Sequence, residues 1–109
     1  MTVNELALKY GFSTVSLPFP EREIKGAYIG DLLSWVMGRA KEDCAWITII
    51  SNVNVIAVAS LVDVACVILA EGVSLEGDVL ETARQKGINV LYSPHPSYET
   101  AILVDSALR

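Results

Sequence analysis

The chain has 109 residues, 52% of them apolar and 19% charged, which is one domain's length with enough apolar material for a core. Eight Lys and Arg against thirteen Asp and Glu give a net charge of −5. That balance offers no broad cationic field for phosphates, so nucleic acid and anionic membrane are not expected partners.

Residues 3–10 read as a short helix: Leu6 and Tyr10 share a face, and Gly11 is a C-cap signal. Thr14 to Leu17 form a short strand, stopped by Pro18 and Pro20, and 19–23 a polar turn. A second strand covers 24–29. Asp31 then opens a helix as its N-cap, with Leu33, Val36, Met37 and Ala40 on one face and Trp35 beside it. The second half alternates: strand 46–50, helix 53–62, strand 65–70, helix 78–87, strand 88–92, helix 97–108. Asp78 and Glu81 are spaced as a capping box, and Gly87 ends that helix. Apolar strands alternating with helices predict βαβ units and a parallel sheet covered on both faces.

Residues 44–62 carry no charge and raise the question of a membrane span. Ser51, Asn52 and Asn54 interrupt them, and the run changes from β-branched to Ala/Val/Leu-rich, so strand, turn and buried helix is the expectation. The opening MTVNELALKYGF has Asn and Glu early and no long apolar stretch, unlike a signal peptide; a reduced, cytoplasmic setting is expected. Two cysteines, Cys44 and Cys66, with one histidine, His95, are too few soft ligands for a zinc or iron–sulfur site. No metal or cofactor is expected, and each Cys should behave as a small buried hydrophobe.

The glycines make neither a GxGxxG turn nor a phosphate loop, and no G-x-S-x-G elbow occurs. In parallel sheets ligands sit beyond the carboxyl ends of the strands, where helices begin. Those ends carry Ser51, Asn52 and Asn54, then Glu71 and Gly72, then His95, Ser97 and Tyr98. This polar cluster is the expected site for a small anionic ligand such as a nucleotide, although each residue is also a plausible helix cap or loop residue. Helix 53–62 is apolar all round, which predicts burial on a second side by the chain's own terminal helix or by another copy of the chain, the latter through Val55, Val58 and Val62.

The strings GDLLSWVMGRA, WITIISNVNVIAVASLVDVACVILAEG, and GINVLYSP followed by SYETA resemble the DRTGG domain family over nearly the whole chain. The likeness is to short free-standing members related to the N-terminal domain of HPr serine kinase, whose fold also occurs in the MurE/MurF ligases. It implies a single domain over 1–109: a three-layer α/β/α sandwich with a mainly parallel sheet. The phosphoryl-transfer domain of that kinase has no counterpart here. Where the family often carries Gly-Asp-Arg the chain has Ser51-Asn52-Val53-Asn54; where it often carries Thr-Gly-Gly the chain has Ala70-Glu71-Gly72. The resemblance implies a non-catalytic regulatory module that self-associates, tied to hydrogenase or carbon and energy metabolism. The alternative is a small enzyme or phospho-transfer accessory working through the strand-end cluster and His95.

Overall fold

Alternate residues of the central strands feed two separate cores. The computed structural model describes residues 1–109. Its strands are β1 (Ser13–Ser16), β2 (Gly26–Ile29), β3 (Cys44–Thr48), β4 (Cys66–Leu69) and β5 (Val90–Tyr92). They form one sheet in the order β1-β5-β4-β3-β2. β2 to β5 run parallel and β1 joins β5 antiparallel, the α/β arrangement with a mainly parallel sheet that the rhythm predicts. Every residue of β3 and β4 is buried.

Cys44, Trp46, Val67, Leu69 and Val90 enter one core with α2 (Leu33–Arg39), α3 (Val53–Val62) and α4 (Gly77–Gln85). Ala45, Ile47, Cys66, Ile68 and Leu91 enter the other with α1 (Val3–Tyr10) and α5 (Ser97–Leu108). The three crossovers from β2 to β5 share one hand, so α2, α3 and α4 fall on one face. α5 crosses the opposite face over β2 and β3. No helix is long and apolar enough to cross a membrane, and the uncharged run divides into β3 and α3.

Local signals set several helix ends. Thr2 and Glu5 close a capping box on α1, and Gly11 ends it at φ 69°. Asn52 caps α3 through the Asn54 N–H. Asp31 is not the N-cap of α2; Leu32 is, and the Asp31 carboxylate instead accepts from Thr48 Oγ1 at 2.7 Å and Ile49 N–H at 3.0 Å. Nor do Asp78 and Glu81 form a capping box. α4 starts after Glu76, which puts Asp78 inside the first turn, where its charge suits the helix dipole. Met37 is 46% exposed and lies outside the core. Val55 and Val58 lie inside the chain's own core and offer no surface to a partner, while Val62 packs against that core half-buried. The exposed large apolar residues of α3 are Val53 and Leu61.

Arg22 ties the N-terminal arm to the sheet. Its Nε and Nη2 donate to Asp43 Oδ1 at 3.0 and 2.9 Å, and Nη2 reaches Asp63 O at 2.7 Å and Asp63 Oδ1 at 2.9 Å. The Arg22 hydrogen bond holds the Asp43 carboxyl below its ordinary pKa. The unfolded chain therefore takes up the proton first on acidification. The pair stabilises the fold above about pH 4, and that contribution is lost as pH falls through the folded value. Asp43→Asn is expected to flatten acid unfolding below about pH 4 while lowering stability at pH 7, followed by urea titrations at each pH.

Cys44 and Cys66 occupy opposite cores, so no disulfide joins them. Burial pushes both thiols up, that of Cys66 far above its ordinary range. A thiolate is the reactive form. Neither cysteine is expected to react with an aromatic disulfide reagent until denaturant is added; release of one equivalent from the native chain would contradict this.

Candidate ligand site

The fold gives the carboxyl ends of the strands a special geometry. β4 leads to α4 on one face and β5 leads to α5 on the other, so the chain diverges between these neighbours, as at a ligand-binding switch point. The chain itself fills that gap. Glu71 N–H donates to His95 O at 2.8 Å, Gly72 N–H to Ser93 O at 3.2 Å and Ser93 N–H to Leu69 O at 2.8 Å. Ser93 Oγ pairs with Thr100 Oγ1 at 2.8 Å in a buried contact.

The N-terminus of α5 is also occupied. Glu71 Oε2 accepts from Ser97 N–H at 2.6 Å, so a carboxylate of the chain sits where an incoming anion would dock. Glu71 holds this place with φ 62°, a left-handed conformation that a side chain disfavours, and Gly72 follows at φ 70°. His95 Nδ1 lies 3.8 Å from Glu99 Oε2, and no hydrogen bond joins its ring to a hydroxyl. Tyr98 is 77% exposed.

The predicted cluster is therefore divided. Ser51 and Asn52 line a recess of about 340 Å³ whose far wall is Glu76 and Asp78, two carboxylates that repel an anion. Asn54 is exposed on α3 beside it. Gly72 lines a separate hollow of about 180 Å³ with Ser13, Tyr92 and Ser93.

The largest recess, about 510 Å³, lies at the other end of the sheet. Its walls are the loop Pro18–Arg22, Ser60 and Asp63 from the end of α3, and Lys86 to Ile88 before β5. The loop is clamped from beneath. Asn89 Oδ1 accepts from Phe19 N–H at 3.0 Å, while Nδ2 donates to Phe19 O at 2.8 Å and Ala65 O at 3.0 Å. The backbone of Phe19 is fixed, yet its side chain leaves the residue 55% exposed. Gly87 makes room for the ring: at φ 73°, a Cβ there would stand 2.9 Å from Phe19 Cε2. Partial burial works against the Arg22 charge, but hydrogen bonds to Asp43 and Asp63 outweigh it and raise its pKa. Lys86 is exposed on the rim of the recess and forms no ion pair.

Sequence reading placed none of Phe19, Arg22, Ser60, Asp63 or Lys86 in a site. Two signals were present: an aromatic residue between two prolines in a polar turn, and an Asn inside the apolar strand run at 88–92.

Fold and recesses together define a small α/β module with a mainly parallel sheet. The chain belongs to the DRTGG domain family, whose model matches residues 23–107. Among solved structures it is similar to the CBS and DRTGG domains of the regulatory region of Clostridium perfringens pyrophosphatase, solved in complex with the activator diadenosine tetraphosphate. The TM-score is 0.74 at 15% sequence identity, a likeness of fold. It covers 94% of this chain and 45% of that one, so the chain spans less than half the length of the structure it matches. No curated protein matches the chain.

Proposed function

We propose that the chain is a non-catalytic regulatory module that binds a small nucleotide-like ligand and works as a self-associated unit. Membership of the DRTGG family supports the regulatory reading, and the similar pyrophosphatase region, complexed with a nucleotide activator, supports the ligand class. The observation that carries the proposal is the recess beside Phe19. A base stacks on the exposed ring; the Lys86 ammonium takes a phosphate; the Ser60 hydroxyl and Asp63 carboxylate accept from amino groups of the base. Glu21 and Asp63 oppose a long phosphate chain at this spot, so ligands with few phosphates facing the protein bind best. The unit works in the cytoplasm, in hydrogenase or carbon and energy metabolism, as the family resemblance implies.

Chemical-shift mapping with AMP, ATP, diadenosine tetraphosphate and inorganic phosphate tests this. Shifts are expected at residues 18–22, 60–63 and 86–88 for the adenine compounds. Phe19→Ala is expected to weaken binding by about 1–3 kcal/mol, the usual worth of one base-stacking contact. A response at 51–54, 71–72 and 95–100 would move the ligand to the strand ends. No response to any adenine compound at millimolar concentration would end the nucleotide reading.

A further inference from the structure

β2 is the last strand of the sheet, flanked by β3 on one side only. Gly30 N–H donates to Ile47 O at 3.2 Å, so by strand alternation the backbone groups of Ala27 and Ile29 point away from β3. Both residues are exposed, and no hydrogen bond in the chain reaches their outward groups.

The opposite edge is treated differently. β1 has an irregular register between Thr14 and Ser16, and Arg84 Nε and Nη2 donate to Val15 O at 3.2 and 3.0 Å. A bulge and a covering cation are the usual protections of a free edge. β2 has no bulge and no proline, and although Lys25, Arg39 and Lys41 line the groove beside it, none donates to its outward carbonyls. A groove of about 250 Å³ runs along one side of it and one of about 340 Å³ along the other, room for the side chains of an added strand. Ile29, Leu32 and Trp35, on and just after this strand, are 50%, 55% and 52% exposed.

We propose that β2 pairs antiparallel with β2 of a second copy, joining two five-stranded sheets across a two-fold axis at Tyr28. This rests on the self-association in the proposed function and names its surface. The sequence of the strand selects the register. With the axis at Tyr28, Ala27 of each copy faces Ile29 of the other, and the outward N–H and C=O groups of both residues are satisfied in both directions. The same register brings Lys25 of one copy, just before the strand and with its Nζ 3.5 Å from Asp43 Oδ2 of its own chain, to the side of Asp31 of the other. Asp31 Oδ1 is held by Thr48 and Ile49, which leaves Oδ2 for the lysine. Moving the axis to Ala27 sets Lys25 against Ile29. Moving it to Ile29 sets Asp31 against Ala27. Only the Tyr28 register matches both the hydrogen bonds and the charges, and its self-complementarity argues for a second copy over a foreign strand.

Ile29→Pro is the test, because proline is tolerated on a free edge where the N–H faces solvent, while it blocks an added strand. Light scattering on the full chain is expected to give a dimer. The variant should give a monomer with unchanged circular dichroism, its dimer dissociation constant raised at least about tenfold by the loss of one bond per copy. Lys25→Glu places like charges opposite each other and should weaken the dimer most at low salt. Amide exchange at Ala27 and Ile29 should slow as concentration rises. A parent dimer that survives both variants, with fast exchange at Ala27 and Ile29, overturns this surface and leaves self-association standing. A parent monomer at millimolar concentration overturns both. If Ile29→Pro does not fold, Lys25→Glu and the exchange rates decide.

Discussion

Trp46→Ala is expected to destabilise the fold by about 3–5 kcal/mol, the range for emptying a buried aromatic site. Trp46 is fully buried in β3, between β2 and β4, and is the largest fully buried side chain in the chain. Its indole N–H donates to Gly30 O at 3.0 Å, which closes the end of β2 onto β3. Alanine would leave a cavity among Val36, Val55, Val67 and their neighbours, and would strip a carbonyl of its partner. Small domains have only about 5–15 kcal/mol in total, so the loss is a large fraction of that stability. Urea titration should show a lower midpoint with unchanged slope. Trp35→Ala is the internal comparison. Trp35 is 52% exposed with the Arg39 guanidinium 3.8 Å from its ring centre, and its loss is expected to cost under about 1 kcal/mol. Equal losses for the two variants would refute the assignment of Trp46 to the centre of the core.

The contrast between these tryptophans shows what the sequence can carry. Trp46 sits in an apolar, β-branched run and Trp35 beside a helical stripe, and both environments follow from periodicity. The bounds of α1, α3 and α5 are legible for a similar local reason: Gly11, Asn52 and the prolines before Ser97 act within one turn of the helix they limit. Strand bounds are less local. The apolar run 46–50 suggests a strand two residues later than β3, because pairing with β2 and β4 places Cys44 and Ala45 inside the sheet and leaves Ile49 and Ile50 beyond it. Asp31 shows the same limit in another form. Its place before a helix suggests a cap, but the hydroxyl of Thr48 arrives from another strand and takes the carboxylate.

The candidate site was least legible. Residues at strand ends can be named from a parallel alternation, but which recess survives depends on what the loops do with their own polar groups. Glu71 reads as part of a ligand crevice until its carboxylate is seen capping α5. Phe19, Ser60 and Lys86 meet only because the starts of the strands and the ends of α3 and α4 gather at one edge, and no spacing in the sequence encodes that meeting.

The second large effect is expected at Asn89, where stability and the recess depend on one side chain. Asn89 is 2% exposed and makes three hydrogen bonds, two to the backbone of Phe19 and one to Ala65 O. Leucine shares the branched shape of asparagine but is larger, so Asn89→Leu leaves no cavity; the cost is the stranded N–H and carbonyls, with some crowding added. A buried group without its partner costs about 1–3 kcal/mol, and water at the loop's outer side recovers part of it, so the total loss is expected near 2–4 kcal/mol. The loop is also pinned through Val3 N–H to Arg22 O, Asn4 N–H to Pro20 O and the Arg22–Asp43 pair, which keeps the arm attached. What the substitution releases is the backbone of Phe19 itself. Ligand binding should therefore fall together with stability in Asn89→Leu, whereas Phe19→Ala, removing an exposed ring, should lower binding with little change in the urea midpoint. An Asn89→Leu variant that keeps both its midpoint and its affinity would show that Phe19 is held by the prolines on either side of it.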